Sequence, residues 1–274
     1  MICRKLNGII IAFALILACI GGKAQISGQS ARQSSMARTY TTIDGFWALH
    51  GNPAGLTSLK NSALGFTLEN RFLTKELNRQ WFGIAFPYQE NIWGISASRF
   101  GNSLFNRQEI SGAYARKFGK RFSAGLKFDY HRIALAENYG SSSAFTFDAG
   151  ILGSLSEHFT IGVHVYNPVQ AKYSSEQTET IPSGIATGIK YKADDNFYLS
   201  VEVEKTNEYE ASIKGAFSYE LTKTMSFCGG YATQPEMFAF GVNLNWQSFE
   251  FDFGSSWHRY LGYSPSFSLI WQIQ

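Results

Sequence analysis

Cysteine is nearly missing from this sequence, and most of what there is lies at the front. Of three cysteines, Cys3 and Cys19 fall within the first 24 residues, which leaves Cys228 alone. A lone thiol excludes an internal disulfide in the rest of the chain and any paired-cysteine metal site. Proline is scarce, with 6 residues in 274, so long extended stretches are free of the residue that central strands exclude. Apart from residues 9–20, no apolar run approaches the about 20 residues of a membrane-spanning helix, which excludes a helical membrane protein. Excess charge is missing as well. The formal +3 comes from Arg4, Lys5 and Lys23; without the first 24 residues, 21 bases face 21 acids. A balanced chain lacks the basic face that nucleic-acid binding requires, so no nucleic-acid partner is expected.

Catalytic and metal signatures are missing too. His50, His131, His158, His164 and His258 show neither H-x-H nor H-x-x-x-H spacing, so no metal site is expected. There is no Gly-x-Ser-x-Gly elbow and no glycine-rich loop opening a helix, hence no expected cofactor. Ser255 and Ser256 stand near His258, but at a strand end, and a triad is defined by geometry rather than proximity in sequence. No enzymatic role is expected.

What is present begins with a secretory signal over residues 1–24. Arg4 and Lys5 precede an apolar run too short to span, and Gly22-Lys23-Ala24 offers a small-residue cleavage site before Gln25. Ile16-Leu17-Ala18-Cys19 is a competing lipoprotein signal. From about residue 61 to the end, apolar and polar residues alternate in stretches of roughly ten, each closed by a turn, about fourteen times. Phe122, Ala124, Leu126, Phe128 and Tyr130 alternate with Ser123, Gly125, Lys127 and Asp129. Phe197, Leu199, Val201 and Val203 alternate with Tyr198, Ser200, Glu202 and Glu204. Period two puts each set on one side of a sheet. The charges fall on one set, where Asp129, Asp148, Glu202, Glu204, Glu210, Glu250 and Asp252 are balanced by Lys127, Lys190, Lys192 and Lys214. On a lipid-facing wall each charge would cost roughly 2–4 kcal/mol at mid-depth, whereas a wet lumen accepts them. Residues 79–87 and 91–100 are apolar in both phases, as befits strands packed against a plug.

The connections test the same idea. Those after odd-numbered strands are longer and those after even-numbered strands are tight, the pattern of outer loops and periplasmic turns. Both termini then lie in the periplasm, and residues 167–181 form the longest outer loop, the surface best suited to partners. The expected fold is all-β: a transmembrane antiparallel barrel of about 14 strands over 61–274, exported to the outer membrane and surrounded by its lipid.

Residues 25–60 break the alternation. Their apolar residues Ile43, Phe46, Trp47 and Leu49 need cover, and a hatch folded into the barrel supplies it. The run Ser30-Ala31-Arg32, Met36-Ala37, Thr39-Tyr40, Asp44, Trp47-Ala48 and Asn52-Pro53-Ala54-Gly55-Leu56 resembles the N-terminal signature of FadL-type outer-membrane proteins, closest to their PorV/PorQ branch. The resemblance implies a hatch inside a fourteen-stranded barrel, with Asn52 to Leu56 as its structural motif. For function it implies a non-enzymatic component of type IX secretion that binds secretion-system proteins or secreted cargo. The alternative, from FadL proteins proper, is a conduit for fatty acids or other small hydrophobic ligands, with an apolar pocket between hatch and wall at Phe46, Trp47, Phe82 and Ile84. Two departures stand out: Arg38-Thr39 occupies the place of a usual Gly-Gly pair, and the outer loops are compact.

Overall fold

The computed structural model describes residues 30–136, 140–173, 181–207 and 210–273. The signal expected over 1–24, Cys19 included, and residues 174–180 of the longest loop lie outside them. Alternation of side chains produces fourteen strands: β1 (Ser62–Asn70), β2 (Asn78–Tyr88), β3 (Asn91–Gly101), β4 (Phe105–Phe118), β5 (Phe122–Leu135), β6 (Ser141–Ser154), β7 (Phe159–Tyr166), β8 (Gly184–Lys192), β9 (Phe197–Thr206), β10 (Ser212–Thr222), β11 (Met225–Thr233), β12 (Glu236–Trp246), β13 (Phe249–His258) and β14 (Gly262–Ile273). Each pairs antiparallel with its sequence neighbours, and β1 pairs with β14 from Ser62↔Ile273 to Glu69↔Ser266, closing the barrel. Closure satisfies every edge, which a sheet in hydrocarbon must achieve because no water is present to do so. Among the described residues no helix is long and apolar enough to cross a membrane.

The two faces of the wall are opposite in character. Phe66, Phe82, Ile95, Leu126, Phe128, Val201, Phe240 and Phe253 stand exposed on the outside. Lys127, Asp129, Asp148, Glu202, Lys214 and Asp252 are buried on the inside. Aromatic pairs tie neighbouring strands on the outer face, among them Trp93–Tyr114 with ring centroids 4.9 Å apart and Phe159–Tyr191 at 4.8 Å. A soluble protein has the reverse arrangement; this one suits a hydrocarbon exterior and a wet interior.

The connections follow the expected alternation only in part. The connections from β1 to β2 and from β7 to β8 are long and leave from one end, the loop end, whereas 89–90, 223–224 and 247–248 are tight and sit at the other, the turn end. Yet 102–104, 234–235 and 259–261, also at the loop end, are as short as the turns. Polar hairpin caps explain this economy: Asn102 Oδ1 accepts from the Leu104 and Phe105 amides, and His258 Nδ1 accepts from those of Tyr260 and Leu261. His258 therefore closes a hairpin.

Residues 30–60 fill the lumen. Helix α1 (Ala31–Ser35) is short and opens with a reciprocal cap: Ser30 Oγ accepts from the Gln33 amide, and Gln33 Oε1 accepts from the Ser30 amide. It lies against β12, β13 and β14, with Ala31 N donating to Ser268 Oγ at 2.7 Å. Two 3₁₀ turns follow, Phe46–His50 and Pro53–Ser58, before the chain enters β1.

Candidate functional site

Three contacts fix the hatch in the lumen. The first is apolar. Phe46, Trp47, Leu49 and Leu56 pack against Ala63 of β1, Trp81 and Ala85 of β2, Ile92 of β3 and Ala113 and Ala115 of β4. This is why β2 and β3 are apolar in both phases: their inner face meets the hatch. The four residues expected to line a pocket divide at this point. Phe46 and Trp47 come together, with ring centroids 5.3 Å apart, and both touch Trp81. Phe82 and Ile84 do not join them. They alternate with Trp81 along β2, so they share the outer phase, where Phe82 is 51% exposed. The inward partner is Trp81, and it fills the space between hatch and wall.

The second contact is the Asn52-Pro53-Ala54-Gly55-Leu56 motif. Asn52 Nδ2 donates to the Thr41 carbonyl at 2.7 Å and to the Ile151 carbonyl of β6 at 3.1 Å, while its Oδ1 accepts from the Ala54 amide. One amide side chain thus caps its own turn and ties it to the wall. Pro53 starts the turn with its φ preset. Gly55 sits where a Cβ would overlap the Ile43 carbonyl, and Gly45 N donates to the Gly55 carbonyl at 3.0 Å. The wall carries matching recesses. A Cβ on Gly65, Gly94, Gly125, Gly150 or Gly162 would overlap Phe46, Leu49, Pro53, Asn52 or Thr41 respectively. Glycines in the inward phase therefore mark where the hatch backbone approaches.

The third contact is ionic, on β9 and β10. Glu202 and Lys214 face each other across the strand pair and meet at 2.9 Å. Glu202 Oε2 accepts from the Tyr40 and Thr41 amides, each at 2.8 Å, and from Thr41 Oγ1. Lys214 Nζ donates to the Arg38 carbonyl at 3.0 Å and pairs with Glu204 at 2.7 Å. Glu204 accepts in turn from the hydroxyls of Tyr40 and Tyr166. Ala37 and Arg38 hold left-handed backbone, φ 51° and 62°, without glycine. That conformation is costly for residues with a Cβ. Arg38, standing in a place the resemblance gives to glycine, is held there by Glu69 at 3.1 Å as well as by Lys214.

Between the hatch and the loop end lies a vestibule of about 1430 Å³, counting the part open to solvent. Tyr40, Leu49 and His50 form its floor, and Trp81, Phe100 and Tyr166 present ring surface. One wall is ionic: Lys127 pairs with Asp148 at 3.1 Å and with Asp129 at 3.5 Å, and His131 stands 3.6 Å from Glu109. Among the described residues no cluster of histidines, cysteines and acids is placed to hold a metal ion. The arrangement can receive and hold a small molecule. Among the described residues it presents no nucleophile with an adjacent base aimed at one point.

Sequence reasoning named the inward acids and lysines as a balanced set, and the structure bears this out in part. Lys127 pairs with Asp129 and Asp148, and Lys214 with Glu202 and Glu204. Lys190 and Glu250 instead pair with Asp44 and Arg32 of the hatch, and Lys192, expected inward, is exposed and pairs with Asp195 in the β8–β9 turn. Sequence reasoning missed Trp81, because β2 is apolar in both phases and its composition does not say which set looks inward, and it missed Tyr40 as the centre of the ionic contact.

No family model matches the sequence, and no curated protein does. Solved structures do resemble it. The CymD monoaromatic hydrocarbon channel superposes with a TM-score of 0.73 at 11% identity, covering 92% of this chain and 99% of that one. The Pseudomonas putida toluene transporter TodX gives 0.69 at 9% identity, covering 91% and 100%. A Pseudomonas aeruginosa FadL homologue gives 0.61 at 9% identity, covering 93% and 100%. At these identities the likeness is one of fold: a FadL-like barrel. It supports the FadL half of the sequence resemblance and lends nothing to its PorV/PorQ half.

Proposed function

We propose that this chain is an outer-membrane conduit for small hydrophobic molecules, and not an enzyme. The observation that carries the reading is a vestibule open at one end and stoppered by a hatch at the other. An open diffusion pore has no use for the stopper, and a purely structural barrel has none for the cavity. Proteins of the same fold described as a hydrocarbon channel and a toluene transporter support it. The apolar outer belt supports an outer-membrane location, and the basic and apolar start of the chain supports export by a signal over 1–24, with 25–60 as hatch and 61–274 as barrel.

Ring surface beside paired charges favours cargo with a polar or ionised end, such as a fatty acid, over a bare hydrocarbon. Direct binding tests this: the detergent-purified barrel is titrated with a labelled fatty acid and with toluene. Saturable fatty-acid binding that weakens in Trp81→Ala is expected. Absence of saturable binding by either ligand counts against the conduit. The secretion-associated reading rests on the run from Ser30 to Leu56 and ranks second. Recovery of secretion subunits in a pull-down from solubilised membranes, without bound lipid, would reverse that order.

A further inference from the structure

A second cavity lies on the other side of the hatch, of about 470 Å³ including its open part. It is lined by Met36, Thr42 and Ile43 of the hatch and by Lys190, Tyr198 and Ser200 of the wall. Lys190 and Ser200 lie toward the turn-end halves of β8 and β9, so this cavity faces the turn end while the vestibule faces the loop end. Tyr40 is the one described residue common to both linings.

Tyr40 is built as a movable partition. Its backbone is clamped, since Glu202 holds its amide and that of Thr41, and Lys214 holds the Arg38 carbonyl. Its ring is buried and held by non-covalent contacts alone: close packing over Gly51, one hydroxyl bond to Glu204 at 2.8 Å, an edge contact with His164 at 5.5 Å, and Lys214 Nζ lying 4.9 Å from its centre. The bond to the Glu204 carboxylate is the strongest of these, and all of them are reversible. Rotation of one side chain is also a far smaller motion than release of a hatch whose six buried apolar residues pack on seven of the wall.

We infer that the two cavities are successive compartments of one route along β8–β10, closed at Tyr40, and that the turn-end cavity is a transit site for the cargo. The inference rests on the conduit reading. It calls for no withdrawal of the hatch.

Planar-bilayer conductance tests it in a Cys228→Ser background carrying Ser200→Cys. With Tyr40 intact the barrel is expected to stay closed. Tyr40→Ala is expected to raise conductance several-fold, and a cationic methanethiosulfonate at position 200 is expected to suppress most of the gain. Two results overturn the inference: a correctly folded Tyr40→Ala barrel with unchanged conductance, or a raised conductance that ignores modification at position 200, since current then bypasses this route. If Tyr40→Ala fails to assemble, Tyr40→Leu carries the same measurement with the same outcomes. Fatty-acid binding by a barrel whose conductance ignores Tyr40 would sink the route and leave the conduit standing.

Discussion

The hatch is held on two sides by opposite means. Toward β1–β4 it rests on an apolar seat of Phe46, Trp47, Leu49, Leu56 and Trp81. Toward β9 and β10 it is gripped by Glu202 and Lys214 through its backbone. An apolar seat is non-directional, and its strength grows with buried area. A buried ion pair is directional: it contributes little net stability, but losing one partner is costly. The seat therefore anchors the hatch, and the grip sets its register and places Tyr40 between the cavities.

Breaking the grip gives the largest effect. Glu202→Ala leaves Lys214 with Glu204 alone and strands two buried amides, so a loss of about 3–5 kcal/mol is expected in urea unfolding of the folded barrel. Bilayer conductance should rise with it. Replacing all three charged groups, as in Glu202→Ala with Glu204→Gln and Lys214→Met, should recover part of the loss, because no unpaired charge remains even though two amides stay stranded. If the triple variant is as unstable as Glu202→Ala alone, the grip stabilises by something other than charge pairing.

Damaging the seat should act differently. Leu49 is 2% exposed and meets the wall at Gly94, so Leu49→Ala is expected to cost about 2–5 kcal/mol through the cavity it leaves. Conductance should stay low, because the grip still registers the hatch. A leak as large as that of Glu202→Ala would erase the distinction between the two sides.

The smallest effect comes from an ion pair outside the lumen. Asp195, fully exposed in the β8–β9 turn, accepts from Lys192 at 2.7 Å, and that bond holds its carboxyl below the ordinary aspartate value. A depressed carboxyl stabilises above its unfolded pKa, and the contribution disappears as pH falls through the folded value. Lys192→Met should raise the Asp195 pKa, read by NMR titration, with no measurable change in unfolding midpoint, since exposed pairs contribute little. A clear loss of stability would show that burial is not what makes the Glu202–Lys214 pair matter.

Much of the wall was legible in the sequence. Phe128 and Asp129, or Val201 and Glu202, declare opposite faces by adjacency alone. Strands that were apolar in both phases also pointed correctly to a plug. The pocket expectation failed to hold together because Phe82 and Ile84 were assigned to the hatch side when Trp81 and Ala85 belong there. In a strand apolar on both faces, composition carries no phase, and only the partner reveals which set looks inward. Gly125 of β5 was read as a member of the polar phase. Gly125, Gly150 and Gly162 are better read as recesses, a meaning that appears once Pro53, Asn52 and Thr41 are in place.

By itself the sequence determined the period, the strand number and the division into a greasy exterior and an ionised interior. Those follow from local sterics, since successive side chains in extended backbone must point opposite ways. Only the tertiary structure decided where the hatch lies, which acid grips it and that Tyr40 separates two cavities. Thr41 and Glu202 are 161 residues apart, and nothing near either announces the other. Their meeting depends on closing the barrel around the hatch, a complementarity of surfaces that exists only after the wall has formed.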